Sequence, residues 1–289
     1  MKACAFIAAS LVLLPVSRGE AQPVPASAAI EITYAAPANP LHRNLHDVLR
    51  QHEALEKVQA ILSPFRLPRT VAMRVQGCNG EAEAWYENAA ITVCYEYLEE
   101  VWQSAPDDGA STGIDRIDAI VGPLVDVFLH EFGHALFDLL AIPVLGREED
   151  AADQVAAFLM LQFQPEEAKR LIRGTAHLYR TWVRQGPWFN RTKTFADVHG
   201  TPAQRFYNLL CIAYGADQEL FRDIVEQEQL LRERAEGCAD EYRQVAYAVQ
   251  QLIRPHVDEA AAKQVLARRW LPGATPALPS TRHGVPAKR

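Results

Sequence analysis

His130-Glu131-Phe132-Gly133-His134 constrains this chain more than any other stretch. It lies in a run that reads as helix from Pro123 to about Leu140, with Gly122-Pro123 at the expected start and Ile142-Pro143 beyond the end. Proline is tolerated in a first helical turn. Residues four apart on an α-helix stand one above the other, so both imidazoles leave one face and can grip one metal ion. Glu131 lies about 100° around the helix, within reach of the proton of a metal-held water.

Two histidines do not complete a metal site, and the next segment offers more donors. Catalytic zinc takes three protein ligands and keeps a fourth position for water. A short turn separates the pentad helix from one beginning near Arg147, so the two are expected antiparallel and in contact. The run Arg147-Glu148-Glu149-Asp150-Ala151-Ala152-Asp153 places Glu149 and Asp153 four apart on one face. Glu149 can then bind Zn2+ while Asp153 accepts a hydrogen bond from a ligand imidazole. Glu148 stays open as the rival third ligand, and acids at a helix start are also favoured by its dipole alone. Glu131 is the candidate general base. For the donor to an oxyanion the leading candidate is His199, in Asp197-Val198-His199-Gly200, followed by Tyr207 and Arg205. Each of those three has a plain structural reading as well: loop residue, core aromatic, surface ion pair.

The rest of the sequence sets the setting. A net charge of -7 over 289 residues, without a Lys/Arg block, argues against a nucleic-acid partner. Residues 1–21 read as a signal peptide: Lys2, an apolar stretch from Ala3 to Val16, and small residues at Gly19 and Ala21 around a cleavage point. The expectation is export to a periplasm or secretion, with no stable membrane anchor after cleavage. Cys78, Cys94, Cys211 and Cys238 remain, an even number suited to two disulfides. Pairing Cys78 with Cys94 and Cys211 with Cys238 joins near neighbours; Cys211, in an apolar run, also reads as a buried thiol.

Residues 22–40 read as a flexible lead-in, 41–266 as one domain and the Pro-rich 267–289 as a disordered tail. Leu41 to Leu62 has helical periodicity. Thr70 to Gln76 alternates like a strand, and Glu83–Tyr86 with Ile91–Tyr95 forms a hairpin around Glu87-Asn88. The second hairpin strand is a candidate sheet edge for an extended peptide. Gly133 suggests close approach of a neighbouring backbone. His42, His46, His52 and His177 read as solvated or satisfied, and Trp182 and Trp188 as core before cleft lining. The sum is α+β, mainly helical, with a small early sheet.

The pentad followed by Glu149-x-x-x-Asp153 resembles the gluzincins, the thermolysin-like zinc metallopeptidases. A closer resemblance is to a bacterial domain family of unknown function described as metallopeptidases. It rests on Ile91-Thr92-Val93-Cys94-Tyr95-Glu96, on Leu129 to Asp153, and on Gln204-Arg205-Phe206-Tyr207-Asn208-Leu209-Leu210-Cys211. The resemblance covers roughly residues 40–250 and implies a zincin-like fold and zinc-dependent hydrolysis of a peptide or protein substrate. The short gap from His134 to Glu149 departs from thermolysin, so that enzyme's substrate pockets do not carry over. A zinc- or peptide-binding protein without turnover, or a hydrolase of a non-peptide amide, are the alternatives.

Overall fold

The computed structural model describes residues 29–107, 113–185, 196–227 and 229–271. Four strands form one sheet: β1 (Ile30–Tyr34), β2 (Val71–Gln76), β3 (Ala84–Glu87) and β4 (Ala90–Cys94), in the order β1-β2-β4-β3. β1, β2 and β4 run parallel, and β3 pairs antiparallel with β4. Strand β2 shows why: Val71, Met73 and Val75 alternate into the core while the residues between them are half-buried. The hairpin turn is Asn88-Ala89, both with positive φ (52° and 59°), one residue later than the expected Glu87-Asn88.

Helices make up most of the rest. They are α1 (Arg43–Gln51), α2 (Ala54–Leu62), α3 (Tyr95–Ser104), α4 (Arg116–Leu139), α5 (Glu148–Met160), α6 (Pro165–Gln185) and α7 (Pro202–Ala216). Short α8 (Arg222–Glu226) and α9 (Arg232–Ala235) follow, then α10 (Cys238–Leu252) and α11 (Glu259–Leu266). α4 is central: it packs on α5 and α6 and touches β3, β4 and α3. Almost every residue from Leu124 to Phe137 is buried, as expected of a helix that is apolar nearly all round. Its length and apolarity would suffice to cross a membrane, but here they serve the core.

Several expectations are corrected. α4 begins at Arg116, so Pro123 lies inside the helix instead of opening it. Gly122 makes room for the crossing with α6: a Cβ there would come within 2.6 Å of the Leu171 carbonyl and 2.8 Å of the Gly174 Cα. The expected Leu41–Leu62 helix is broken after Gln51, where Glu53 takes a left-handed conformation (φ 52°). β1 falls inside the stretch expected to be a flexible lead-in; Gln59 donates to the Ile30 carbonyl, and Ile30 is buried. The start of the expected tail is also docked, since the Trp270 and Leu271 amides both donate to Glu167. The candidate edge strand Ile91–Tyr95 is interior: β4 pairs on both sides, and the outer strand is β3. The signal-like residues 1–21, Trp188 and the tail beyond Leu271 lie outside the described residues.

Two disulfides are present, Cys78–Cys94 and Cys211–Cys238, spanning 16 and 27 residues. Constraining the unfolded chain over such loops is worth about 3 kcal/mol each in the chain-entropy account. Such bonds suit an oxidising environment. The first pins the turn after β2 to the end of β4, where Glu96 accepts from the Cys78 and Gly80 amides. The second ties α7 to α10, so Cys211 is not a free thiol.

Candidate metal centre

Two antiparallel helices and one loop supply the site. α4 brings His130, Glu131 and His134; α5 brings Glu148, Glu149 and Asp153. The helices approach closely because Gly133 faces Ala152: a Cβ at Gly133 would sit 3.2 Å from the Ala152 Cα. That matches the close approach expected from the sequence.

The donor atoms converge. His130 Nε2 lies 3.1 Å from Glu149 Oε2, His134 Nε2 lies 3.3 Å from the same oxygen, and the two nitrogens are 3.3 Å apart. A tetrahedral centre with zinc-like bonds of 2.0–2.1 Å has ligand–ligand edges of about 3.3–3.4 Å. The triangle is therefore close to one face of such a tetrahedron. The charges agree: Asp126, Glu131, Glu148, Glu149 and Asp153 cluster here, while among the described residues Arg205 is held by Asp153 and Arg147, at the cleft, is taken up by Asp150. Carboxylates in that excess, two of them buried, call for a positive partner.

Each imidazole also has a carboxylate behind it. His130 Nδ1 donates to Asp153 Oδ1 at 2.8 Å, and His134 Nδ1 to Glu148 Oε1 at 2.7 Å. A carboxylate only accepts, so both Nδ1 atoms carry the proton and both Nε2 atoms are aimed inward. Asp153 is in turn clamped by Arg205 of α7, whose Nε and Nη2 reach its two oxygens at 2.8 and 2.6 Å. The guanidinium lies over the Tyr179 ring, 4.7 Å from its centroid, and Tyr179 Oη donates to Asp126 Oδ2 at 2.9 Å.

These contacts set the protonation. Bonds from His130, His134 and His199 hold the Glu149 carboxyl far below the usual range. Burial opposes protonation of His130, but Asp153 and Glu149 push it up to about 9. Burial would raise Asp153, yet Arg205 and His130 win and depress it. Asp126, buried and facing Asp153, is pushed up to about 6. Burial likewise raises Glu131, against the pull of His130 and His134.

Glu131 lines a cleft of about 590 Å³ together with His134 and Glu149. Trp85 and Tyr86 of β3 wall one side, and the loop Asp197–His199 the other. His199 Nε2 is 2.9 Å from Glu149 Oε2, and its ring stacks on His130 (6.0 Å, 29°). His130, Glu149 and His199 thus form a second group whose donor atoms lie within 4.8 Å of one another. The His130–His134–Glu149 triangle stands on helices, whereas His199 is 43% exposed on a loop.

Some sequence expectations find other places. Glu148 stands behind His134 and is 56% exposed. Arg205 grips Asp153 instead of facing the cleft. Tyr207 is not brought to the site: it is 42% exposed, packs edge-on against Phe206, and does not line the cleft. Two residues beyond Arg205 is about 200° around a helix, which turns Tyr207 away. His177 is satisfied by the Ser104 carbonyl, and Trp182 packs against Tyr97 and Tyr179 while bonding Glu100. Sequence reasoning missed Asp126 and Tyr179 beneath the site and Trp85 and Tyr86 beside it. Asp126 did leave a signal, one acid in the apolar run Gly122–Leu129, a turn before His130.

No curated protein and no solved structure matches the chain. A family model does, over residues 34–253, well over half of the sequence. A mainly helical α+β fold and a histidine–carboxylate group able to hold a metal accord with its description, and the chain belongs to the DUF4344 family, "Putative metallopeptidase".

Proposed function

We propose that the protein is an exported zinc peptidase whose metal is held by His130, His134 and Glu149. The observation that carries this reading is the near-tetrahedral triangle of their donor atoms on the floor of an open cleft. Bound there, zinc would polarise the scissile carbonyl and make a water acidic enough to lose a proton near neutral pH.

The chain's own residues do the rest. Glu131 reaches the cleft, and its carboxylate has no hydrogen-bond partner among the described residues. It is placed to take the proton of the attacking water and return it to the departing amine as the C–N bond breaks. Positioned proton transfer of this kind is worth roughly 10²–10⁴ in rate. His199, with Nδ1 against Asp197 Oδ1 at 3.2 Å and Nε2 against Glu149 Oε2 at 2.9 Å, would turn Nε2 to the oxyanion once that Glu149 oxygen serves as a ligand. The free edge of β3 borders the same cleft, and an extended peptide can add to it as a further strand. Export is supported by the signal-like N-terminus and the two disulfides.

Glu131→Gln tests the reading. It should keep one zinc per chain and lose cleavage of a broad peptide library that the wild type cuts. A wild type with stoichiometric zinc and no cleavage would favour a binding protein on the same scaffold. Absence of bound metal would remove the proposal altogether.

A further inference from the structure

α4 serves two unlike neighbourhoods. Its second half carries the pentad, while Ile117, Ile120, Val121 and Leu124 near its start wall a separate cavity of about 370 Å³. α1 and α2 supply Val48 and Val58 to this cavity, and the end of the described chain supplies Trp270. Its volume is in the range of small-molecule sites, about 300–1,000 Å³. Ile117, Ile120 and Val121 are only partly buried, so apolar side chains stay wet there.

The polar groups are of one kind. Among the described residues His52, Lys57 and Arg269 line the cavity and no carboxylate does, in a chain with 36 acids against 29 Lys and Arg. None of the three side chains has a hydrogen bond or ion pair among the described residues. The walls also select the occupant. They are mostly helices, whose backbone groups bond internally, and the Trp270 and Leu271 amides are taken by Glu167. A bound peptide would leave its own backbone unpaired, whereas a hydrocarbon chain asks for no hydrogen bond.

We propose that this cavity binds a single-chain anionic amphiphile of the fatty-acid class. The chain lies against the start of α4, and the carboxylate meets Lys57 and Arg269. The proposal does not depend on the peptidase reading.

Calorimetric titration of the full-length protein with octanoate, decanoate and dodecanoate tests it. One equivalent should bind, with each added methylene tightening the complex roughly three- to fourfold. Dodecanol should bind about tenfold more weakly for want of a charge-assisted bond. Lys57→Glu should weaken dodecanoate but not dodecanol, and Val121→Trp should fill the cavity and abolish binding while zinc is retained. If Val121→Trp does not fold, 12-bromododecanoate should quench the fluorescence of Trp270 and of Trp102, which also lines the cavity, with the quenching lost in the double Phe variant. Absence of saturable binding, equal affinity for dodecanol, or binding that survives Val121→Trp would overturn the proposal. So would binding that disappears when EDTA strips the metal, since the carboxylate would then be at the metal centre.

Discussion

His130 and His134 leave the same helix one turn apart and aim Nε2 at the same point, yet their backing differs. Behind His130 stands Asp153, 21% exposed, gripped by Arg205 with Tyr179 and Asp126 beyond it. Behind His134 stands Glu148, 56% exposed and joined to little else. One imidazole is set in a braced wall; the other is backed by a single exposed carboxylate. In a low dielectric a bond to a charge is strong and its loss costly, whereas water can replace an exposed one. The metal floor should thus be rigid on the α7 side and compliant at the cleft rim.

The largest test concerns which acid is a ligand and which is backing. Glu149→Ala should leave no stoichiometric zinc by metal analysis, while Glu148→Ala keeps it; the opposite result would exchange their roles. Next, Arg205→Met leaves the Asp153 charge buried without its partner. Breaking such a pair costs about 3–5 kcal/mol, to be read as a lower denaturation midpoint of the metal-free protein. An unchanged midpoint would mean that the brace is ornamental.

The wall behind His130 should also carry a pH signature of its own. The folded-state pKa of Asp126 is about 6 against an ordinary 3.8, so its proton favours the fold. That stabilisation is full below about pH 4 and is lost as the pH rises through about 6, amounting to about 1–3 kcal/mol. Thermal melts of metal-free Asp126→Asn should be flatter than wild type across that window. Last, Asp153→Asn should weaken zinc about 10–100-fold, as expected for an orienting carboxylate. Glu148→Gln should cost only a few-fold, in line with an exposed pair. Equal losses in the two would erase the contrast between the imidazoles.

Local signals in the sequence were readable and long-range ones were not. The pentad and Glu149-x-x-x-Asp153 are fixed by helical period, so their convergence follows once α4 and α5 lie antiparallel. Strand β2 was readable for the same reason, with a period of two. The break at Glu53 was not, because a non-glycine residue in a left-handed turn leaves no composition cue. Pro123 misled by looking like a helix start, when room for the α6 crossing is made at Gly122. Which hairpin strand forms the sheet edge depends on pairing with β2, remote in sequence, and local alternation says nothing of it. Arg205 and Tyr207 were both named, but only packing decides which of two residues about 200° apart turns inward.

The start of α7 has a consequence for re-engineering. Thr201 and Gln204 lock that helix end with reciprocal bonds, and Arg205 follows at once. The threonine thus acts as a gatepost: the loop before it, His199 included, can be exchanged for another while Arg205 just behind the post keeps its grip on Asp153. On the proposed peptidase reading, substrate preference and cation affinity would be separately tunable, because one covalent joint divides the loop that walls the cleft from the strut behind His130.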